Sequence, residues 1–247
     1  MSGHSHYATI KRKKEATDAV KGKIFSKHSK AIQVAIKTGG SPDPDTNAKL
    51  RFTIDQAKAD NMPKANIDRI LAKASEAGSI DEVTYEGYGI GGIGVVVNTA
   101  TDNRNRTSQG IKNIFERGGG SLAGPGAVSF NFESKGLIVL EKKSDVDEQM
   151  LAIIDLGVDD IEEQEDALEA YVTQEALSST KEELEKAGFT VRSISLVQKP
   201  KSYTTINDQK DAEKAIKFLD LLEDHDDVQS VFTNLDIPQE VLGKINS

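Results

Sequence analysis

Positive charge is concentrated at the start of this chain, although the protein as a whole is acidic. Residues 1–77 contain 15 Lys and Arg against 8 Asp and Glu, a net charge of +7, whereas residues 78–247 contain 16 against 32, a net charge of −16. An acidic body repels a phosphate backbone. Whatever fold the chain adopts, it must therefore keep a cationic surface apart from its anionic part if a nucleic acid is to bind.

We expect the cations of the first thirty residues to form most of that surface, with further cations joining it. A run of Lys and Arg is often only a solvated helix face. Confinement of the charge to one part of an acidic protein, beside small hydrogen-bonding residues, instead favours phosphate neutralisation. The candidate nucleic-acid-binding residues are Lys11, Arg12, Lys13, Lys14, Lys21, Lys23, Lys27, Lys30, Arg51, Lys64, Arg104 and Arg106.

Composition excludes several other classes of protein. The chain has no Cys, which excludes disulfides and thiolate zinc sites. Its longest apolar run, residues 89–97, is too short to cross a bilayer, and the N-terminus lacks the apolar run of a secretory signal. We therefore predict a cytoplasmic protein with no membrane partner. The absence of Trp, with only 5 Tyr and 8 Phe, argues against a single-strand binder that relies on base stacking.

The basic segment has helical periodicity throughout. Apolar residues recur every three to four positions from residue 17 to 37, and Gly39 and Gly40 end the pattern. A second helix follows, for which Asp45, Thr46 or Asn47 supplies the cap. For the third helix we predict Asn61 as the N-cap, with Pro63 in the first turn. These three helices predict a small all-helical domain.

From residue 83 the pattern alternates with a period of two, which indicates strands. Gly87, Gly89, Gly91 and Gly92 lie between two such strands. Because the turn leads into a strand and no Gly-Lys-Ser/Thr follows, a tight turn is favoured over a nucleotide site. A helix over residues 111–115 and another strand over residues 127–132 are predicted next.

The remainder alternates strands and helices. A strand at residues 136–141, a helix around 149–154, a helix ending at 187–188 and a strand at 189–198 suggest a ferredoxin-like arrangement. The acidic stretch 159–169 is interpreted as an exposed face. An amphipathic helix over residues 208–222 and a strand over 228–237 complete the chain.

Two short polar motifs have both a structural and a functional interpretation. In TDNRNRT, Asp102 and Asn103 can cap a helix, with Arg104 and Arg106 merely exposed. Arginines at the positive end of a helix are electrostatically unfavourable, so the alternative is an anion site suited to phosphate. For the other motif, residues 225–227, we expect capping and turn formation to account for all three side chains. No catalytic or metal-binding arrangement can be assembled by spacing.

Motifs along the whole chain resemble the YebC/PmpR family of probable transcriptional regulators, which also includes mitochondrial translational activators. They are SGHS-x-x-ATIKRKK, KGKIF, AKLR, NMPK-x-NI, YEGYG-x-GG, TDNRNRT, GGG-S-L-A-G and HDDVQ-x-V. The sequence departs from the family pattern at His6, Tyr7, Ala65 and Ile90. The resemblance implies an α+β fold of three domains: a basic helical domain at 1–77, a discontinuous central α+β domain at 78–132 plus 202–247, and an inserted, acidic, ferredoxin-like α+β domain at 133–201.

Charge and resemblance together predict a non-enzymatic, monomeric nucleic-acid-binding regulator of gene expression, without cofactor or small-molecule substrate. In the first interpretation it regulates transcription by binding DNA through its basic surface. In the alternative it associates with the ribosome, contacts rRNA or tRNA and assists elongation. No helix-turn-helix with base-reading side chains is apparent, and phosphate contact without base readout fits structured RNA as well as DNA.

Overall fold

The computed structural model describes residues 18–73 and 80–245, with side chains from residue 22 onwards. Helices and mainly antiparallel sheets alternate, which confirms the α+β class. The helices are α1 (Asp18–Gly39), α2 (Ala48–Ala59), α3 (Lys64–Ala72), α4 (Arg104–Arg117), α5 (Val146–Ile154), α6 (Leu177–Lys186), α7 (Gln209–Glu223) and α8 (Gln239–Ile245). The strands are β1 (Asp81–Tyr88), β2 (Gly94–Thr101), β3 (Ser121–Ala123), β4 (Phe132–Glu141), β5 (Asp160–Glu163), β6 (Ala167–Val172), β7 (Val191–Pro200), β8 (Thr204–Thr205), β9 (Val228–Thr233) and β10 (Leu235–Asp236).

The first three helices pack around an apolar core of their own. Ile32 and Ala35 of α1 meet Leu50 and Ile54 of α2 and Ile67 of α3, and all five are buried. Their spacing along each helix places them on one face, as the sequence periodicity predicted. The polar faces of these helices are left to carry the cations.

The N-terminus of α2 is capped by Asn47, one of the three predicted candidates. Its side-chain oxygen accepts a hydrogen bond from the backbone N–H of Leu50 at 3.0 Å. Its side-chain nitrogen donates to the carbonyl oxygens of Ala35 and Ser41, both at 2.9 Å. Asn47 is buried, so it also fastens α2 to the end of α1.

The prediction that Asn61 caps α3 is wrong, because this residue ends α2 instead. Asn61 has a left-handed backbone conformation, with φ 62°. Its N–H donates to the carbonyl of Lys58 at 2.9 Å, and the N–H of Met62 donates to that of Ala57 at 2.8 Å. This pair of bonds is the Schellman arrangement, in which Asn is one of the residues that tolerate positive φ. Pro63 precedes α3 as its N-cap, without a side-chain hydrogen bond.

Four strands form the first sheet, in the antiparallel order β3-β1-β2-β9. Strand β9 comes from the end of the chain, so residues 228–233 complete a sheet begun at residue 81. Helices α4 and α7 pack on this sheet, and Phe115 of α4 meets Phe218 of α7 edge to face at 5.1 Å. Between β1 and β2, Ile90–Gly92 forms a single 3₁₀ turn in which Gly91 has φ 69°, so the glycines form the expected tight turn.

The strand predicted at residues 127–132 is wrong except at its last residue. Residues Ser129–Asn131 form a 3₁₀ turn, and β4 begins at Phe132. The cause is the buried carboxylate of Glu86, which accepts hydrogen bonds from the backbone N–H groups of Gly126, Val128 and Ser129 at 2.8–2.9 Å. Because Glu86 takes these donors, the segment curls around it.

The second sheet has the order β5-β6-β4-β7, with every neighbouring pair antiparallel. With α5 after β4 and α6 after β6, the chain runs strand, helix, strand, strand, helix, strand, which is ferredoxin-like connectivity. Its core includes Ile138, Ile153, Leu168 and Leu184. The chain enters and leaves this sheet at adjacent positions, since Phe132 and Pro200 are register partners.

The acidic stretch 159–169 is mostly exposed, as the sequence suggested, since Asp159, Asp160, Glu163, Glu165 and Asp166 are all exposed. It forms β5 and the start of β6, and every residue of β6 is buried. Glu169 is buried too, and its carboxylate accepts hydrogen bonds from the Tyr171 hydroxyl at 3.0 Å and the Gln164 amide at 3.2 Å. The prediction is therefore wrong for Glu169, whose buried position the sequence pattern did not reveal.

Candidate nucleic-acid interface

Three predicted cations of α1, Lys23, Lys27 and Lys30, lie on one side of the helix because they follow one another by four and three residues. That side faces residues 223–227, which join α7 to β9 and which we call the acidic turn. Lys23 Nζ lies 2.8 Å from Asp224 Oδ1. Lys27 Nζ donates to the carbonyl oxygen of Glu223 at 2.9 Å. The helical part of the chain thus docks on the acidic turn through its own lysines.

The centre of this contact is the carboxylate of Asp227, whose side chain is only 4% exposed. Lys30 Nζ lies 2.6 Å from it, the Thr107 hydroxyl donates to it at 2.7 Å, and Arg106 Nη2 lies 3.2 Å away. Burial by itself would raise the pKa of Asp227. The hydrogen bonds from Lys30, Thr107 and Arg106 outweigh burial and lower this pKa to about 2.

The expectation that turn formation accounts for all of residues 225–227 is therefore wrong for Asp227. It holds for His225, whose Nδ1 accepts a hydrogen bond from the backbone N–H of Asp227 at 3.2 Å. The carboxylate of Asp227, in contrast, joins α1 to α4 across the acidic turn. Sequence spacing carried no signal for this, because Lys30, Thr107 and Asp227 are far apart along the chain.

The two arginines at the start of α4 are held by carboxylates. Asn103 caps the helix by accepting a hydrogen bond from the N–H of Arg106 at 3.1 Å. Arg104 Nε donates to Asp81 at 2.8 Å, and Arg106 Nη2 lies 2.7 Å from Asp102 as well as near Asp227. The sequence argument treated these arginines as misplaced charges that need an external anion. That premise is wrong, because neighbouring carboxylates already compensate both.

Asp81 connects this helix terminus to α1 as well. It receives Lys37 Nζ at 2.7 Å in addition to Arg104. Hydrogen bonds from Lys37 and then Arg104 lower the pKa of the Asp81 carboxyl. Lys37 was not among the predicted residues, and like the α1 lysines it serves the contact between the helices and the first sheet.

Other predicted cations remain open to solvent. Arg51 of α2 and Lys64 of α3 are exposed, and no ion pair involves them within residues 18–73 and 80–245. Arg69 and Lys73 are likewise exposed and without an ion pair among the described residues, although Arg69 donates to Asn66 Oδ1 at 3.0 Å. Arg69 and Lys73 were not among the predicted residues, although both lie in the basic segment and outside the apolar stripe of α3.

The cations of the N-terminal arm, Lys11, Arg12, Lys13 and Lys14, lie outside the described residues. Lys21 lies on α1, and its side chain is outside them as well. The predicted set therefore separates into three groups. One group is held at the acidic turn and at the start of α4, a second is open on α2 and α3, and the side chains of the third, Lys21 included, lie outside those described.

A cleft of about 730 Å³ opens where α1, α2, α7, β7 and β9 meet. Its charged lining residues carry both signs, with lysines of α1 opposite carboxylates of α7. On the helical wall, His28 Nε2 lies 2.6 Å from Asp60 Oδ2. Gln56 of α2, also a lining residue, donates to the carbonyl of Ile194 in β7 at 2.7 Å.

Within residues 18–73 and 80–245, no helix is both long enough and apolar enough to cross a bilayer. No three His, Asp or Glu side chains within the same residues are grouped so that they could hold a metal ion.

Known families match both the helical part of the chain and the part that contains the acidic turn. Residues 5–77 match the TACO1/YebC protein N-terminal domain, and residues 80–235 match the TACO1/YebC second and third domain. The chain belongs to the TACO1/YebC family. The resemblance identified from sequence motifs is thereby confirmed. The first TACO1/YebC match contains the α1 lysines, and the second contains the acidic turn on which they dock.

Full-length relatives agree with this TACO1/YebC assignment. A protein of Brachyspira hyodysenteriae named as a probable transcriptional regulatory protein is 44% identical over 246 residues, covering 98% of this chain and 99% of its own. One of Geobacillus sp. strain WCH70 with the same description is 46% identical over 242 residues, covering 96% and 98%. The crystal structure of a conserved hypothetical protein of Aquifex aeolicus superposes with a TM-score of 0.87 at 42% identity, covering 96% and 99%.

Proposed function

We propose that this protein is a non-enzymatic regulator of gene expression that acts in transcription, in the cytoplasm, by binding DNA through the cations of residues 1–77. The observation that carries the proposal is the charge division, +7 before residue 78 and −16 after it. A polyphosphate binds where cations are concentrated and is repelled elsewhere. The names of the relatives from Brachyspira and Geobacillus, probable transcriptional regulatory proteins, support the same role.

We infer that the chain works as three units with the boundaries 1–77, 78–132 plus 202–247, and 133–201. Three separate apolar clusters support this division: one among α1 to α3, one under the first sheet and one under the second. In this arrangement the helical unit is the DNA-binding part. The two acidic units hold it in position and keep the phosphate backbone on one side of the molecule.

Binding in this proposal relies on phosphate contacts rather than on base readout. The cations that lie open on the helical unit are Arg51, Lys64, Arg69 and Lys73, and the N-terminal arm adds Lys11 to Lys14. Lys and Arg neutralise phosphates irrespective of sequence, and each contact on duplex DNA steepens the log–log salt dependence by about 0.9. We therefore expect salt-sensitive binding with little discrimination between sequences.

The proposal is tested by reversing the four charges of the arm, Lys11, Arg12, Lys13 and Lys14, to Glu. We expect the affinity for a DNA duplex to fall at least about 100-fold, with a salt slope smaller by up to about 3.6, because up to four phosphate contacts are lost. Fluorescence anisotropy over a salt series measures both quantities, and far-UV circular dichroism checks that the fold is retained.

A matched control distinguishes the effect of a local cationic surface on DNA binding from the effect of net charge. The variant with Lys112, Lys186, Lys210 and Lys217 changed to Glu has the same charge change at exposed positions outside the helical unit. We expect it to bind DNA within about threefold of the wild type, because screening limits exposed charges to about 8 Å at physiological salt. Equal losses in the two variants would contradict a dedicated surface. Parallel titration with structured RNA tests the choice of DNA, since preferential RNA binding would overturn it.

A further inference from the structure

We propose that the acidic turn, residues 223–227, is an internal mimic of a phosphate backbone, so that docking of the helical unit and DNA binding compete for the same face of α1. The inference rests on the proposed function and deepens it. The lysine face of α1 is then a DNA-binding surface that the molecule covers in its docked state. DNA reaches Lys23, Lys27 and Lys30 only when the acidic turn releases them.

The contact has the chemistry of a lysine–phosphate interface. Lys23 meets a carboxylate oxygen at 2.8 Å, and Lys27 meets a backbone carbonyl oxygen at 2.9 Å. Lys30 meets one oxygen of each kind, the carbonyl of Asp226 at 2.8 Å and the carboxylate of Asp227 at 2.6 Å. Each ammonium group is therefore supplied with the oxygen acceptors that phosphates would offer. Three lysines on one helix face could follow successive phosphates in the same way.

The outer part of this contact, the ion pair of Lys23 and Asp224, can exchange one anion for another. The side chains of Lys23 and Asp224 are 53% and 66% exposed. Solvent-exposed ion pairs contribute little to stability and weaken with salt, so a dense polyanion can displace such a carboxylate. The inner part differs, because Asp227 is buried and retains Arg106 and Thr107 when Lys30 leaves. Asp227 therefore keeps partners in the undocked state, which limits the cost of releasing α1.

Docking on the acidic turn and DNA binding exclude each other in this proposal, so each weakens the other by the same factor. Removing the charge of Asp224 should loosen the docked state and so tighten DNA binding. For Asp224→Asn we expect about threefold higher affinity for a DNA duplex, the size expected from one exposed ion pair. We also expect a steeper salt slope, by up to about 0.9, because Lys23 becomes available to a phosphate.

The control for this variant is Asp211→Asn on the same helix, α7. It removes one negative charge as well, but Asp211 lies near Lys214, at 2.8 Å, and its carboxyl is at the opposite end of α7 from the acidic turn. Asp211→Asn should leave the DNA affinity and its salt slope unchanged. Equal effects of the two substitutions would mean that net charge alone matters, which overturns the competition.

A distance measurement on the full chain tests release directly. Because the chain has no Cys, spin labels can be placed on Asp45→Cys in the helical unit and Lys217→Cys on α7 without other changes. Electron–electron resonance then gives the separation of these exposed sites. With saturating DNA duplex, the distance distribution between the two labels should shift to longer distances or broaden. Without DNA, it should keep the separation of the docked state, in which the acidic turn contacts α1.

The outcomes separate the inference from the function on which it rests. DNA binding with an unchanged label distance would show that α1 stays docked, which overturns the competition while the proposed function stands. Absence of DNA binding by the wild type, by Asp224→Asn and by the control would reject the proposed function and the competition together. Binding by Asp224→Asn where the wild type binds poorly would support both.

Discussion

Asp227 shows how one residue can connect two helices that are distant in sequence. Its carboxylate receives Lys30 from α1 and both Thr107 and Arg106 from α4. A buried carboxylate is unfavourable unless hydrogen bonds and cations compensate it, and here all three donors do so. The pKa of about 2 expresses this balance, since the ionised form is favoured in the folded protein relative to the ordinary value of 3.8.

Asp227→Asn should therefore destabilise the protein in a pH-dependent way. At pH 7 we expect the free energy of unfolding to fall by about 2 kcal/mol, because Lys30 and Arg106 lose a charged partner and Asn keeps an oxygen only for Thr107. A lowered pKa stabilises the folded state above about pH 4, and this contribution is lost as the pH falls towards 2. The difference between wild type and variant should shrink over the same range, as measured by urea unfolding.

The neighbouring substitution Asp226→Asn is the control for this prediction. Asp226 is exposed, and it contacts Lys30 through its backbone carbonyl, which the substitution preserves. Its effect on the free energy of unfolding should stay within about 0.5 kcal/mol at every pH. Similar losses for the two variants, or a pH-independent loss for Asp227→Asn, would show that the buried carboxylate is not the stabilising group.

At the scale of elements, the caps decide where the helices begin and end. Sequence alone allowed Asp45, Thr46 or Asn47 to cap α2, and it also assigned Asn61 to the wrong helix. The choice of Asn47 follows from its second task, donation to the carbonyls of Ala35 and Ser41, which an aspartate could not perform. Asn61 has φ 62° because α2 must turn sharply for Met62 to reach the core.

Asn47→Asp separates capping from this second task. Asp caps helices as well as Asn does, so a residue that only caps would tolerate the change. We expect a loss of about 2 kcal/mol in the free energy of unfolding, because a carboxylate would face two carbonyl oxygens in a buried position. Asn47→Ala should cost a similar amount. Urea unfolding at neutral pH measures both, and a loss below about 0.5 kcal/mol for Asn47→Asp would contradict the second role.

At the scale of the whole molecule, the chain enters and leaves the second sheet through one pair of adjacent strand ends. Phe132 and Pro200 are register partners, and beyond them the N–H of Lys201 donates to the carbonyl of Asn131 at 2.8 Å. The segment between Phe132 and Pro200 also has its own apolar core. These features predict that the segment can be removed without disturbing the first sheet.

Replacement of residues 133–199 by a flexible Gly-Ser linker of four residues tests this organisation. Such a linker joins the two adjacent ends without needing a hydrogen bond from Pro200, which has no N–H. The shortened protein should keep a single cooperative thermal transition, with a lower Tm because Gln56 and Phe52 of α2 lose their contacts with the second sheet. Circular dichroism during heating measures this. Loss of a cooperative transition would show that the two sheets fold only together.

Local patterns were enough to predict much of the fold and part of the candidate interface. Helical periodicity predicted α1, α2 and α7, and alternation with clustered glycines predicted β1, β2 and the turn between them, because these signals lie within a few residues. The charge division between residues 1–77 and the rest was also readable directly. The predictions failed where a group distant in sequence decided the structure, as when Glu86 bound the backbone N–H groups of Gly126, Val128 and Ser129.

By itself, the sequence determined the amount of positive charge, the segment that carries it and the helices on which much of it lies. Tertiary structure alone decided which of those cations meet an acceptor of the acidic turn, because Lys23, Lys27 and Lys30 find their partners about 200 positions along the chain. Coulomb attraction depends on separation in space and on burial, and neither is set by separation along the sequence.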